Sequence, residues 1–278
     1  MNPTQPTDPL LLPPGFKVLL MGAPGSGKTH SLRTLINLGL KVRAIFLERQ
    51  SLNVLGDVLD KINWCYISPA QASMEKLMAQ AKIVSQLKPE GLIKQSEDRT
   101  KYTGLYDVMN ACNDFKCQRT GESFGDAAEW GTDTVLFLDG LSGLTQMAFQ
   151  VVSGLRVTKS LPEYGQAQSL IQTFLEAINN TARCHFICTA HIYLEKDEIY
   201  GGQRILVSTA GNKLAPILPN TFSDFILAKY TAGKFTWATS DAQAMLKSIN
   251  LPVGQSDLQP DFRLVLEGWK KKGGIVCP

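Results

Sequence analysis

The residues best placed to do chemistry stand at 22–29. There Gly22, Ala23, Pro24, Gly25, Ser26, Gly27, Lys28 and Thr29 fit the phosphate-loop spacing G-x-x-x-x-G-K-[ST] at every fixed position. The glycines let a backbone curl around an anion with its N–H groups turned inward, where a Cβ would obstruct the curl. A helix that follows at once, with His30 in its first turn, presents its N-terminus to the same phosphates. In such a loop Lys28 neutralises the β- and γ-phosphates of a nucleoside triphosphate, and the Thr29 hydroxyl holds Mg²⁺.

The same chemistry needs a metal-side carboxylate at the end of a neighbouring strand. Asp139 closes the apolar run TDTVLFLDG (132–140), which places it at the strand's C-terminal edge, where such sheets bind ligands. Hydrolysis also needs a group that orients or deprotonates water. Glu48 ends the run KVRAIFLE (41–48), and from that edge its carboxylate reaches a γ-phosphate. Glu195, Asp197 and Glu198 lie beyond a different strand end and are weaker candidates. Thr189 and His191 end CHFICTAH (184–191), where a polar group can hydrogen-bond the γ-phosphate and pass its presence to the following loop.

The elements that must position these residues follow from periodicity. KVLLMG (17–22) reads as a strand, and Leu32, Leu35, Ile36 and Leu38 have helical spacing behind the glycine-rich turn. NWCYIS (63–68) is a third short strand, and residues 70–90 read as a helix. Leu170, Ile171, Phe174, Leu175 and Ile178 form one face of a helix over 163–180. Strands alternating with helices imply a mostly parallel sheet flanked by helices, an α/β fold. The shorter runs 204–208, 221–230 and 234–239 suggest an antiparallel extension of that sheet. The expected organisation is an extended proline-rich arm over 1–15, a core over 16–240 with an insertion at about 70–131, and an extension over 241–278 with a basic tail.

A chain of 278 residues with 44% hydrophobic residues can bury a full domain core. Its 28 basic against 25 acidic side chains permit a polyanion partner without demanding one. The six cysteines are scattered, which fits reduced thiols in a cytoplasm. Cys112 and Cys117 have loose spacing and no second Cys or His pair nearby, which favours plain thiols over a zinc site. The N-terminus has no basic region before an apolar run, which argues against a signal peptide, and no stretch has the length of a membrane span.

Taken in order, GAPGSGKT, AIFLE, TVLFLDGLSGLTQ, CTAH and NKLAPILPNTFSDFILAKY resemble the RecA-type phage nucleotide-binding ATPases of the AAA-type P-loop family. They are similar in particular to the phage single-strand annealing proteins that consist of little more than a RecA core. The resemblance implies a RecA-like, Mg²⁺-dependent ATPase that binds single-stranded DNA in phage-type recombination, annealing or repair. It further implies self-association into a ring or filament, a single-strand DNA-binding protein as a further partner, and residence in the host bacterial cytoplasm. By position, Glu48 matches the catalytic glutamate, Asp139 the metal-side aspartate and His191 the γ-phosphate sensor. The two DNA-binding loops fall at about 153–165, with Arg156 and Lys159, and at 192–212, with Lys196 and Arg204. Lys229 and Lys234 become candidates to reach a neighbouring subunit's nucleotide.

Other readings of the phosphate loop are a hexameric helicase or motor, a small-molecule P-loop kinase and a non-catalytic nucleotide-dependent scaffold. A motor requires an inter-subunit arginine finger, and Arg204 and Arg263 sit in no recognisable finger motif. A kinase usually closes an arginine-rich lid, for which the middle section offers Arg99 and Arg119. Tyr164, Tyr193 and Tyr200 could stack on bases. Trp269 with the three lysines after it could follow a nucleic-acid strand or be a solvated terminus.

Overall fold

A computed structural model describes residues 13–69, 74–86, 99–154, 156, 159–196, 201–209 and 213–278. The proline-rich residues 1–12 and Tyr200 lie outside the described residues, as does part of the expected 70–131 insertion.

The chain is a mixed α/β fold around a mostly parallel sheet. The strands are β1 (Lys17–Gly22), β2 (Lys41–Phe46), β3 (Asn63–Tyr66), β4 (Thr134–Asp139), β5 (His185–Lys196), β6 (Gln203–Val207), β7 (Asp224–Thr231) and β8 (Lys234–Ala238). Their order across the sheet is β3-β2-β4-β5-β1-β7-β8, with β6 paired to β5 off this path. All pairings from β3 across to β7 are parallel, and β7 with β8 and β5 with β6 pair antiparallel. The helices are α1 (Leu32–Asn37), α2 (Arg49–Val54), α3 (Met74–Gln86), α4 (Gly104–Asn113), α5 (Leu141–Ser153), α6 (Leu161–Thr181), α7 (Leu218–Thr221) and α8 (Phe262–Lys271).

The central strands are apolar on both faces because each face meets helices. Along β1, Leu19 and Met21 join one core while Val18 and Leu20 join the other; along β4, Leu136 and Leu138 part from Val135 and Phe137 in the same way. The first core is closed by α4, α5 and α6, and the second by α1, α2 and α8. This two-sided burial fixes the register of the strands and therefore aligns their C-terminal ends.

Both sheet edges are partly covered. At β3 the Gln118 side chain accepts from Tyr66 N–H and donates to Tyr66 C=O, each at 3.0 Å, like one residue of an added strand. At β8 the chain returns, and Trp237 and Leu258 exchange backbone hydrogen bonds at 2.8 and 2.9 Å.

Two segments differ from the sequence expectation, and the extension beyond residue 240 makes a contact that bears on Trp269. The α-helix after the phosphate loop begins only at Leu32, and residues 28–31 form tighter turns in which Leu32 N–H bonds Thr29 C=O at 3.2 Å. Strand β5 does not stop at His191 but continues to Lys196, where it pairs with β6, so the described part of the expected loop 192–212 is largely a β-hairpin. The chain beyond residue 240 packs back on the core. Phe262, Val265, Leu266 and Trp269 of α8 are buried, and Trp269 Nε1 donates to Pro14 O at 2.8 Å. Burial of that ring removes it as a stacking surface for a nucleic-acid base, whereas Lys270, Lys271 and Lys272 are exposed.

Candidate nucleotide site

Strand register brings the chemistry-bearing residues to one edge. Gly22 at the end of β1 is level with His191 of β5, and Asp139 at the end of β4 is level with Thr189 of β5 and Phe46 of β2. Leu47 N–H donates to Asp139 C=O at 3.0 Å, and Glu48 follows as the N-cap residue of α2. Strands β1, β2, β4 and β5 thus deliver the glycine-rich loop, Glu48, Asp139 and His191 to a common cavity of about 710 Å³. Small-molecule sites span ~300–1,000 Å³.

Three positions of the loop call for glycine. A Cβ on Gly22 would stand 2.5 Å from both Ala228 O and Ser26 Oγ, and Gly25 and Gly27 hold φ of 75° and 84°. The Ser26 hydroxyl is buried with no hydrogen-bond partner, a donor left over within the cradle. Lys28 is 7% exposed, and its ammonium donates to Gly22 O and Ala23 O, both at 2.9 Å. Burial lowers its pKa, against the opposing charges of Asp139 and Glu48. A phosphate oxygen is a stronger, charged acceptor than a carbonyl.

Thr29 Oγ1 donates to Asp139 Oδ2 at 2.9 Å, so the hydroxyl and the carboxylate expected to share a metal are in contact. Among the described residues no three His, Cys, Asp or Glu side chains gather as a metal cage. One carboxylate and one hydroxyl fit Mg²⁺, which takes few protein ligands and completes its shell with phosphates and water. Thr189 Oγ1 donates to Asp139 Oδ1 and accepts from Gly140 N–H at 3.0 Å, which fixes the carboxylate from the neighbouring strand. Burial raises the Asp139 pKa, opposed by hydrogen bonds from Ser51, Thr189 and Thr29.

Glu48 Oε1 and His191 Nε2 lie 3.0 Å apart. That hydrogen bond is the main cause of a lowered Glu48 pKa, so the carboxylate is kept ionised, as a base must be. His191 Nδ1 is buried and unpartnered. His30, in the turn after Thr29, also lines the cavity and accepts from Arg33 Nε at 3.3 Å.

The expected DNA and inter-subunit residues stand apart from this cavity. Arg156, between α5 and α6, ion-pairs with Glu163 and donates to Ser153 O at 3.2 Å. Lys159 donates to Arg156 O at 3.3 Å and lies 5.3 Å from the Phe149 ring. Lys196 ends β5, exposed, and Arg204 lies across from Glu195 in the β5–β6 ladder. Lys229 of β7 is held by Asp241 at 2.6 Å within the chain, and Lys234 opens β8, exposed. Tyr164 packs edge-on against Phe149 at 5.0 Å.

The sequence reading missed Ser51, Phe235 and the corner Gln259–Pro260–Asp261, all of which line the cavity. Ser51 stands three residues after Glu48, a spacing that could have flagged it as a second support for Asp139. Phe235 packs over the loop, its ring 3.0 Å from where a Gly27 Cβ would stand. Nothing local in the sequence ties residues 259–261 to residues 22–29.

No family model matches the chain, and no curated protein matches it by sequence. Among solved structures it is similar to a Pyrococcus horikoshii OT3 protein, at 12% identity and a TM-score of 0.36 over 90% of this chain and 95% of that one. It is also similar to the RadB recombinase, at 10% identity and a TM-score of 0.34 over 86% and 92%. Both likenesses are remote, and the functional reading rests on the site itself. No described helix is long and apolar enough to cross a membrane.

Proposed function

We propose that the chain is a Mg²⁺-dependent, RecA-type ATPase that acts on single-stranded DNA in recombination, annealing or repair of the phage type. The observation that carries the ATPase reading is the meeting, in one cavity, of the phosphate loop, the Thr29–Asp139 contact and the Glu48–His191 pair. The loop amides and Lys28 would hold the triphosphate, and Thr29 with Asp139 would hold Mg²⁺, which would neutralise charge on the phosphates. Glu48 takes a proton from a water aligned with the γ-phosphate. His191, bonded to Glu48 and continuous with the β5–β6 hairpin, reports the γ-phosphate to the residues beyond it.

Single-stranded DNA, self-association into a ring or filament and a single-strand DNA-binding protein as partner belong to this reading through the resemblance, as does a cytoplasmic location. The test is ATP hydrolysis with Mg²⁺, with and without single-stranded DNA, alongside the mass of the assembly. Turnover that rises with DNA, and a complex that weakens with salt, support the reading. Turnover indifferent to any nucleic acid overturns the DNA part, and phosphate transfer to a nucleoside or sugar would replace hydrolysis by a kinase activity.

A further inference from the structure

The cavity is larger than the phosphate cradle. It runs from Pro24–Thr29 past Thr34 and Asn37 of α1 to Gln259, Pro260 and Asp261, which belong to the returning C-terminal segment. That corner is held from two sides. Trp237 and Leu258 exchange backbone hydrogen bonds at 2.8 and 2.9 Å, which fastens it to β8, and Phe262 N–H donates to Thr34 Oγ1 at 3.1 Å, which fastens it to α1. The antiparallel pairing at Trp237 directs residues 259–261 toward Phe235, whose ring already covers Gly27.

The chemistry of the corner opposes that of the loop. Asp261 Oδ1 accepts from Arg263 N–H at 2.8 Å as the N-cap of α8, while Oδ2 is 3.9 Å from Arg263 Nε. A carboxylate repels phosphates and accepts from neutral N–H and O–H donors. Gln259 adds an exposed amide, and Phe235 and Pro260 add apolar surface. The loop end of the cavity thus offers charge and N–H donors suited to a polyphosphate, and the corner offers acceptors suited to a neutral group bearing hydrogen-bond donors.

We propose that Gln259, Pro260 and Asp261 form the nucleoside wall of the site and decide which triphosphate it prefers. This deepens the nucleotide reading above and rests on it. The donors it takes are ribose hydroxyls or the exocyclic amine of the base.

The test is calorimetric binding of ATP and of inorganic triphosphate, each with Mg²⁺, to the full chain and to the variant Gln259→Ala/Asp261→Asn. Asn caps helices as well as Asp, so α8 keeps its cap. The wild-type chain should bind ATP about tenfold more tightly than triphosphate, and the variant should lose most of that margin. Triphosphate affinity, unchanged, shows that the variant retains a folded loop. ITP, without the amine, and 2′,3′-dideoxy-ATP, without the hydroxyls, identify the donor: the analogue that the substitution leaves unaffected lacks it. An unchanged ATP margin in the variant, or equal affinities in the wild type, overturns the nucleoside wall and leaves the phosphate site standing. A wild-type chain that binds neither ligand overturns the nucleotide reading and this inference together.

Discussion

Strand β1 begins with one buried lysine, and the loop at its far end carries another. Lys17 is 6% exposed and donates to Ala182 O at 2.6 Å and Cys184 O at 2.8 Å; Lys28 is 7% exposed and donates to Gly22 O and Ala23 O at 2.9 Å. Both are desolvated ammonium groups satisfied by backbone carbonyls, yet their surroundings differ. Around Lys17 the chain closes: Phe16 stacks on His185 at 3.9 Å, Trp269 seals the ring cluster, and the C-terminal residues bond Thr132 and Asp133. Around Lys28 the chain opens into a cavity with a free Ser26 hydroxyl, a free His191 Nδ1 and the carboxylates of Glu48 and Asp139. The same side chain is thus a structural pin at one edge of the sheet and a ligand-ready charge at the other. What distinguishes them is whether the chain beside the ammonium packs closed or leaves a cavity.

That contrast predicts separable effects. The largest concerns the closed edge, where Trp269→Ala should cost about 3–5 kcal/mol of stability, read by denaturant unfolding, because it empties a packed ring cluster. At the open edge, Lys28→Ala should lower ATP turnover about 10²–10³-fold with little change in unfolding midpoint, since it removes charge stabilisation of the transferring phosphate. Lys17→Met should do the reverse: it strands two carbonyls, costs about 1–3 kcal/mol, and leaves turnover per folded molecule unchanged. A loss of turnover in Lys17→Met at full folding would break the comparison.

The smallest effect is a pH dependence. Burial lowers the Lys17 pKa to about 8, below the 10.5 of a free lysine. Between those values the unfolded chain binds more protons than the folded one, so stability should rise with pH from about 8 toward 10.5. The slope is at most about 1.4 kcal/mol per pH unit, and Lys17→Met should lose this increment.

Most of the open edge was legible because a parallel sheet displays its functional groups where apolar runs end. Glu48, Asp139 and His191 each follow such a run, and the phosphate loop has fixed spacing. The supports of that edge were not legible. Thr189 and Ser51 act on Asp139 through contacts across strands, and residues 259–261 arrive from the far end of the chain. The closed edge and the middle section escaped for a related reason. Residues 115–130 carry no period, because they are anchored by Phe115 and Trp130 and by one bridge between Lys116 and Ser123. The run 204–208 was legible as an antiparallel strand, but the continuation of β5 past His191 was not, because residues 191–196 are half-exposed and carry no apolar alternation.

The central claim is that Glu48, held by His191 beside the phosphate loop, is the base of a hydrolase. The most direct measurement is ATP turnover and ATP affinity for Glu48→Gln against the wild type. The account predicts turnover lower by about 10²–10⁴-fold with affinity retained. Undiminished turnover in Glu48→Gln would contradict it.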